Sequence, residues 1–173
     1  MAITASASVE NTAPAQGLDR GGKYLTFQLA NEEFGIQVLK VREIIGVQDI
    51  TAVPQTPVWI KGVINLRGKV IPVIDLRLKF AMPSIAYGQR TCIIVAQLVS
   101  EGENMLMGVV VDGVSEVLNI AATEIEDTPD FGASVPTPYI LGLAKQKGKV
   151  KILLDIDRVL TSTELDGLQG LIQ

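Results

Sequence analysis

The chain contains no histidine and a single cysteine, Cys92. The first absence removes the side chain most used as a general base and as a metal ligand near neutral pH. The second excludes an intramolecular disulfide framework. Cys92 stands in the apolar run Cys92-Ile93-Ile94-Val95, which reads as a buried small hydrophobe and not as a nucleophile. Aromatic residues make up 5% of the chain and the formal net charge is −4. Neither the stacking surfaces nor the basic footprint of a nucleic-acid binder is therefore present. No stretch approaches the ~18 consecutive apolar residues of a membrane helix. The N-terminus has neither a basic leader nor an apolar core of a secretory signal, so a cytoplasmic location is expected.

What the sequence does have is apolar content, 47% of 173 residues. A chain of this size buries roughly 70% of its unfolded surface, so it needs no disulfide or metal staple. Residues 1–22 are Ala-, Ser-, Thr- and Gly-rich without apolar period, and read as a flexible tail. From Lys23 onward the chain reads as strands. Tyr24 to Leu29 alternates Tyr24, Thr26 and Gln28 with Leu25, Phe27 and Leu29, the pattern of a half-buried strand. Further strands are expected at Phe34 to Val38, Val70 to Ile74, Thr91 to Val99, Gly108 to Val111 and Val150 to Leu154. Pro72 suggests an edge or a bulge, and Asp112-Gly113 a turn. A closing helix within Asp157 to Ile172 is expected, capped at Thr161 to Glu164 and carrying Leu165, Leu168, Leu171 and Ile172. Gly167 and Gly170 weaken that helix, each by about 1 kcal/mol against Ala. Many short strands without intervening helices favour an all-β barrel or sandwich over a parallel α/β sheet.

The sequence also matches itself. Gly62, Gly68, Lys69, Val70 and Asp75 recur as Gly142, Gly148, Lys149, Val150 and Asp155, at an offset of 80. Thr56-Pro57 answers Thr137-Pro138 one residue out of step. An earlier stretch, Gly35 to Ile44, faces Gly108 to Val117 at an offset of 73. The change of offset implies about seven extra residues in the second half, between Asn119 and Pro136. Each half holds about 70 residues, enough for one small barrel, and two barrels would share an apolar seam. Whether strands stay in their own half or are exchanged is left open.

Few residues suggest chemistry. Gly68-Lys69 and Gly148-Lys149 lack the glycine spacing and the following Ser or Thr of a phosphate loop, and read as turns. Asp75 and Asp155 are repeat-equivalent, which points to carboxylates binding backbone N–H groups at strand ends. Glu124, Glu126, Asp127 and Asp130 match no calcium loop and read as a solvated acidic segment. No catalytic constellation, metal site or cofactor site emerges, and the chain is read as a non-enzyme. Arg67 has Lys147 as its repeat partner, so the charge is kept and the guanidinium fork is not. Glu43 is its expected partner.

The run Gly62 to Arg77, with Phe34-Gly35-Ile36, Val41 to Ile44 and Val109 to Val117, resembles the CheW family of chemotaxis coupling proteins. The resemblance covers about residues 22–162. It implies two small five-stranded β-barrels, SH3-like or OB-like, over 23–162 (roughly 23–88 and 89–162); the C-terminal helix or tail over 163–173 carries no family motif. It implies a scaffold linking the cytoplasmic tips of chemoreceptors to the regulatory module of the CheA histidine kinase. Carried over by motif, Arg67, Glu43, Val41 and Val114 would lie at the receptor groove. Ile36 and Val38 would lie on the kinase face. A double barrel that binds a small ligand or an oligonucleotide is the alternative.

Overall fold

The computed structural model describes residues 20–100, 102–127 and 139–171. The expected tail therefore falls outside the described residues as far as residue 19, as do Asp130, Ile172 and half of the stretch between Asn119 and Pro136. Eleven strands are described. They are β1 (Gly22–Leu29), β2 (Glu32–Gln37), β3 (Val41–Gly46), β4 (Ile60–Leu66), β5 (Lys69–Asp75), β6 (Cys92–Ser100), β7 (Glu103–Val111), β8 (Gly113–Ile120), β9 (Ile125–Glu126), β10 (Ile140–Gln146) and β11 (Lys149–Leu154). A single helical turn, α1 (Leu76–Lys79), follows β5, and α2 (Ser162–Leu171) closes the fold. The class is the expected one: all-β, in two sheets, with a short C-terminal helix.

The two sheets run in the orders β9-β10-β11-β2-β1-β8 and β3-β6-β7-β5-β4. The strands are exchanged. Hairpin β1–β2 of the first half sits in the sheet of β8 to β11, and hairpin β6–β7 of the second half sits in the sheet of β3 to β5. Each exchange is sealed by a parallel ladder. Gly35 on β2 lies opposite Leu153 on β11, and Gly108 on β7 lies opposite Val73 on β5. These are the residues that match at offsets 73 and 80, so the repeat reproduces itself down to the register. Each sheet is closed by a short contact beyond its first strand. Thr51 bridges Val63, and Glu126 pairs with the repeat-equivalent Leu143.

The shared glycines follow from that closure. A Cβ on Gly62 would lie 2.0 Å from the Thr51 carbonyl oxygen, and one on Gly142 would lie 2.8 Å from that of Glu126. The two-residue turns are Arg67-Gly68 and Lys147-Gly148, with Lys69 and Lys149 already opening the next strands. Both turn residues have positive φ, 51° and 87° in the first half, 56° and 76° in the second. That is the turn whose twist matches a tight hairpin.

Three apolar clusters hold the fold. Ile64, Ile71, Val73, Ile93, Val95 and Val110 fill one barrel, and Tyr24, Ile120, Ile125, Ala144 and Leu153 fill the other. The largest cluster lies between them, built from Leu25, Phe27, Leu29, Ile94, Leu98, Met107 and others. The exchanged hairpins thus bury both faces. That corrects the half-buried reading of β1, since Tyr24 and Thr26 are as buried as Leu25 and Phe27. The Thr26 hydroxyl donates to the Glu116 carbonyl at 2.9 Å, which satisfies it inside the sheet.

Three smaller expectations are refined. Asp112-Gly113 is no hairpin turn, because β7 and β8 belong to different sheets; it is a crossover. Pro72 lies on an interior strand, but the ladder with β7 begins only at Val73, so its missing N–H costs no bond there. The helix begins at Ser162, after a separate 3-10 turn at Ile156–Arg158. Its cap is the expected one: the Glu164 N–H donates to Thr161 Oγ1 at 3.1 Å, and the Thr161 N–H donates to Glu164 Oε1 at 2.9 Å. Leu165 and Leu168 enter the central cluster.

Candidate functional site

The sequence singled out Arg67 and Glu43, which lie 24 residues apart. The fold brings them together. Arg67 occupies the β4–β5 turn, and Glu43 lies on β3, at the other edge of the same sheet. Both terminal guanidinium nitrogens of Arg67 donate to the Glu43 carboxylate, Nη1 to Oε1 at 3.3 Å and Nη2 to Oε2. This fork-to-carboxylate geometry is one that lysine does not make. The hydrogen bond to Glu43 pushes the Arg67 pKa further up. The Arg67 side chain remains 70% exposed, so the pair presents itself to solvent while holding its own orientation.

The counterpart in the other half is not built. Glu116 and Lys147 form no ion pair among the described residues, and Lys145 instead pairs with Glu126 at 3.0 Å. The Arg67–Glu43 pair rims a groove of about 410 Å³ whose apolar floor is the partly exposed Leu66 and Leu106, lying over the buried core residues Ile71 and Val95. Arg42 and Lys69 add cationic side chains to the rim. A groove with an apolar floor and a charged rim suits an amphipathic protein segment.

The other expected site residues lie elsewhere. Val41 on β3 and Val114 on β8 are partly buried against the central seam, opposite Ala96 and Phe27 in their ladders. Neither lines the groove of Arg67. Val38, in the 3-10 turn Val38–Lys40, is likewise partly buried on the seam. Ile36 is corrected: it is 1% exposed in the central cluster, so its side chain serves packing and offers no partner face. Its neighbour Leu39, which the sequence reading passed over, is 94% exposed.

The remaining titratable groups have structural duties. Asp75 Oδ1 accepts from the N–H groups of Arg77 and Leu78, and Oδ2 accepts from the Tyr87 hydroxyl at 2.9 Å. Burial and that bond push the Tyr87 pKa up. Asp155 accepts from the Asp157 N–H at 3.1 Å. Burial raises its carboxyl above the ordinary range. Burial also raises the thiol of half-buried Cys92, in keeping with an unreactive side chain. The acidic residues of the second half are spent singly, Asp127 on Arg20, Glu126 on Lys145 and Glu124 on the Ala121 N–H. Among the described residues no acidic or sulfur cluster is fit to hold a metal.

One cluster escaped the sequence reading because it joins distant segments. Lys79 Nζ lies 4.6 Å from the centre of the Trp59 ring and 2.8 Å from Glu164 Oε2. It fastens α2 beside a cleft of about 450 Å³ lined by Pro54, Pro57, Trp59 and Ile60. Burial pushes the Glu164 carboxyl up, and the bonds from Lys79 and Thr161 outweigh it, leaving its pKa below the ordinary value.

Comparison with known proteins bears on the whole arrangement. The family model described as the CheW-like domain matches residues 23–164. The chain is 43% identical over 145 residues to the chemotaxis protein CheW of Klebsiella aerogenes, covering 84% of this chain and 85% of the other. It is 34% identical over 154 residues to that of Rhizobium meliloti, covering 88% and 97%. Protein FrzA of Myxococcus xanthus is 28% identical over 126 residues, covering 73% and 76%. The crystal structure of scaffolding protein TtCheW from Thermoanaerobacter tengcongensis superposes with a TM-score of 0.72 at 34% identity, covering 80% of this chain and 92% of that one. With two interlocked barrels, the matched motifs and these relatives in hand, the chain belongs to the CheW-like domain family.

Proposed function

We propose that this chain is a chemotaxis adaptor, a non-enzymatic scaffold that couples the cytoplasmic tips of chemoreceptors to the CheA histidine kinase. The observation that carries the reading of its site is the Arg67–Glu43 pair, exposed at the rim of an apolar-floored groove and absent from the repeat-equivalent position. The receptor tip is taken as a helical hairpin whose apolar positions dock while its charged residues meet the rim. Val41 and Val114, partly exposed along the seam, extend the receptor surface beyond the groove. Val38 and the fully exposed Leu39 beside it offer the kinase an apolar contact. No helix among the described residues is long and apolar enough to cross a membrane. Association with receptor arrays would then run through protein contacts, where several weak contacts act together.

The test is reconstitution of receptor fragment, kinase and this protein, with kinase activity measured against adaptor concentration. Activation by the parent chain and its loss with Arg67→Glu, at unchanged circular dichroism, is the expected result. Equal activation by the variant would remove Arg67 from the site. Failure of the parent to bind receptor or kinase would remove the adaptor reading. The ligand- or oligonucleotide-binding alternative has no supporting observation beyond the barrel form.

A further inference from the structure

The two halves are built to one plan, so each hairpin faces two quasi-equivalent homes. Hairpin β1–β2 could pack in the barrel of its own half, beside β5, and hairpin β6–β7 beside β11. The observed fold does the reverse. Three pairs of positions distinguish the two arrangements, and all three carry charge.

The first lies in the parallel ladders. On β11, Lys151 stands opposite Glu33 of β2 and the two form an ion pair, with Lys151 only 4% exposed. The equivalent place in the other barrel holds Ile71, 1% exposed, with Leu106 packed against the same cluster. In the own-half arrangement the register would set Lys151 against Leu106 and Glu33 against Ile71. Lys151 would then be buried without a partner and the part-buried Glu33 would lose its own, which is strongly unfavourable.

The second and third lie at the crossovers. Asp112, where the chain leaves β7, accepts from Arg77 Nε at 2.8 Å and Nη2 at 2.8 Å, and also from the Ala30 N–H at 2.7 Å. Arg77 follows β5. Its equivalent after β11 is Asp157, which pairs with Lys40, where the chain leaves β2, at 2.8 Å. Asp157 also accepts from the Val99 N–H at 3.0 Å. The two clamps have opposite polarity. Lys40 stands one place past Leu39, the repeat equivalent of Asp112, at the same crossover; in the own-half arrangement it would approach Arg77 while Asp112 would approach Asp157, a like-charge contact at each crossover.

We infer that the Lys151–Glu33, Arg77–Asp112 and Lys40–Asp157 pairs form a charge code that selects the exchanged topology over the own-half one. The exchange interlocks the barrels, and β3 and β8 emerge directly from the two clamped crossovers, so the code also fixes the spacing of those strands. The inference stands independently of the adaptor reading.

Cross-linking tests it in a Cys92→Ser background. Glu32 and Val150 are exposed and stand one place before the Glu33–Lys151 pair on β2 and β11, whereas Glu32 and Val70 take the corresponding places only in the own-half topology. With Glu32→Cys and Val150→Cys, a short bismaleimide closes the parent chain into a cyclised monomer. With Glu32→Cys and Val70→Cys it does not. The recoded variant Lys40→Asp, Asp157→Lys, Ile71→Lys, Lys151→Ile satisfies every pair only in the own-half topology. The ratio of the two cross-links is expected to invert, by tenfold or more. Should that variant fail to fold, Lys40→Asp, Asp157→Lys, Glu33→Leu, Lys151→Ile decides, since it leaves no buried unpaired charge in either topology. It is expected to give both cross-links. A folded variant of either kind that keeps the parental ratio overturns the inference.

Discussion

The pseudo-equivalent glycines of the exchanged hairpins are expected to differ sharply when each is changed to alanine. Neither Gly35 nor Gly108 has a left-handed backbone, so the outcome rests on space alone. A Cβ on Gly108 would lie 2.9 Å from Ile93 Cγ2 and 3.3 Å from Val73 Cγ2. Both neighbours are branched at Cβ, fully buried and stiff at χ1, so the backbone has to move. A Cβ on Gly35 would lie 3.0 Å from Leu153 Cδ2, the far end of a longer side chain that is equally buried but needs to give by only a few tenths of an ångström. Overpacking of a tight core costs about 1–3 kcal/mol. Replacing a strand glycine returns about 0.5–1 kcal/mol of unfolded-state entropy. The net expectation is a loss of about 1–2 kcal/mol for Gly108→Ala and a change near zero for Gly35→Ala. Urea unfolding followed by the fluorescence of Trp59, the single tryptophan, measures both. At roughly 2–4 °C per kcal/mol, the first variant should also melt about 2–8 °C lower. Adding Ile93→Ala should remove most of the Gly108→Ala penalty in a double-mutant cycle. The reasoning fails if Gly35→Ala costs as much as Gly108→Ala, or if the cycle shows no coupling.

Four further outcomes are expected. The Glu164 carboxyl has a depressed folded-state pKa, so its contribution is present above its unfolded value of about 4.3 and is lost as pH falls through the folded one. Trp59 emission should therefore shift below about pH 4, and Glu164→Gln should abolish that acid transition. The Tyr87 pKa is raised, so its contribution holds below about pH 10 and fades as pH climbs above that. Tyr87→Phe leaves the buried Asp75 carboxylate short of a donor, and denaturant unfolding at pH 7 should show a loss of about 1–3 kcal/mol. Lys147→Gly relieves a positive φ at an exposed turn and should stabilise the fold by about 1 kcal/mol by the same measurement. Arg67→Gly relieves the equivalent turn but deletes the fork to Glu43; receptor-fragment affinity measured by calorimetry should drop at least fivefold while the melting temperature is kept.

The sequence by itself determined the repeat, the all-β class with six of the eleven described strands, the two repeated turns to within one residue, and the capped C-terminal helix. These depend on neighbours in the chain: a glycine after a turn residue, alternating side chains, a threonine three places before a glutamate. It also pointed to the partnership of Arg67 with Glu43, because only one half carries a guanidinium at that turn. The exchange of hairpins was beyond its reach. A strand with two apolar faces has the same composition in either barrel, and the choice is made by contacts between residues 35–118 positions apart, among them Lys151 with Glu33, Arg77 with Asp112 and Lys40 with Asp157. For the same reason Ile36, apolar on a strand, could be read as a partner face until the second sheet was seen to cover it. Tertiary structure decided which apolar residues face a neighbour and which face solvent, because burial belongs to the assembled pair of barrels and to neither half alone.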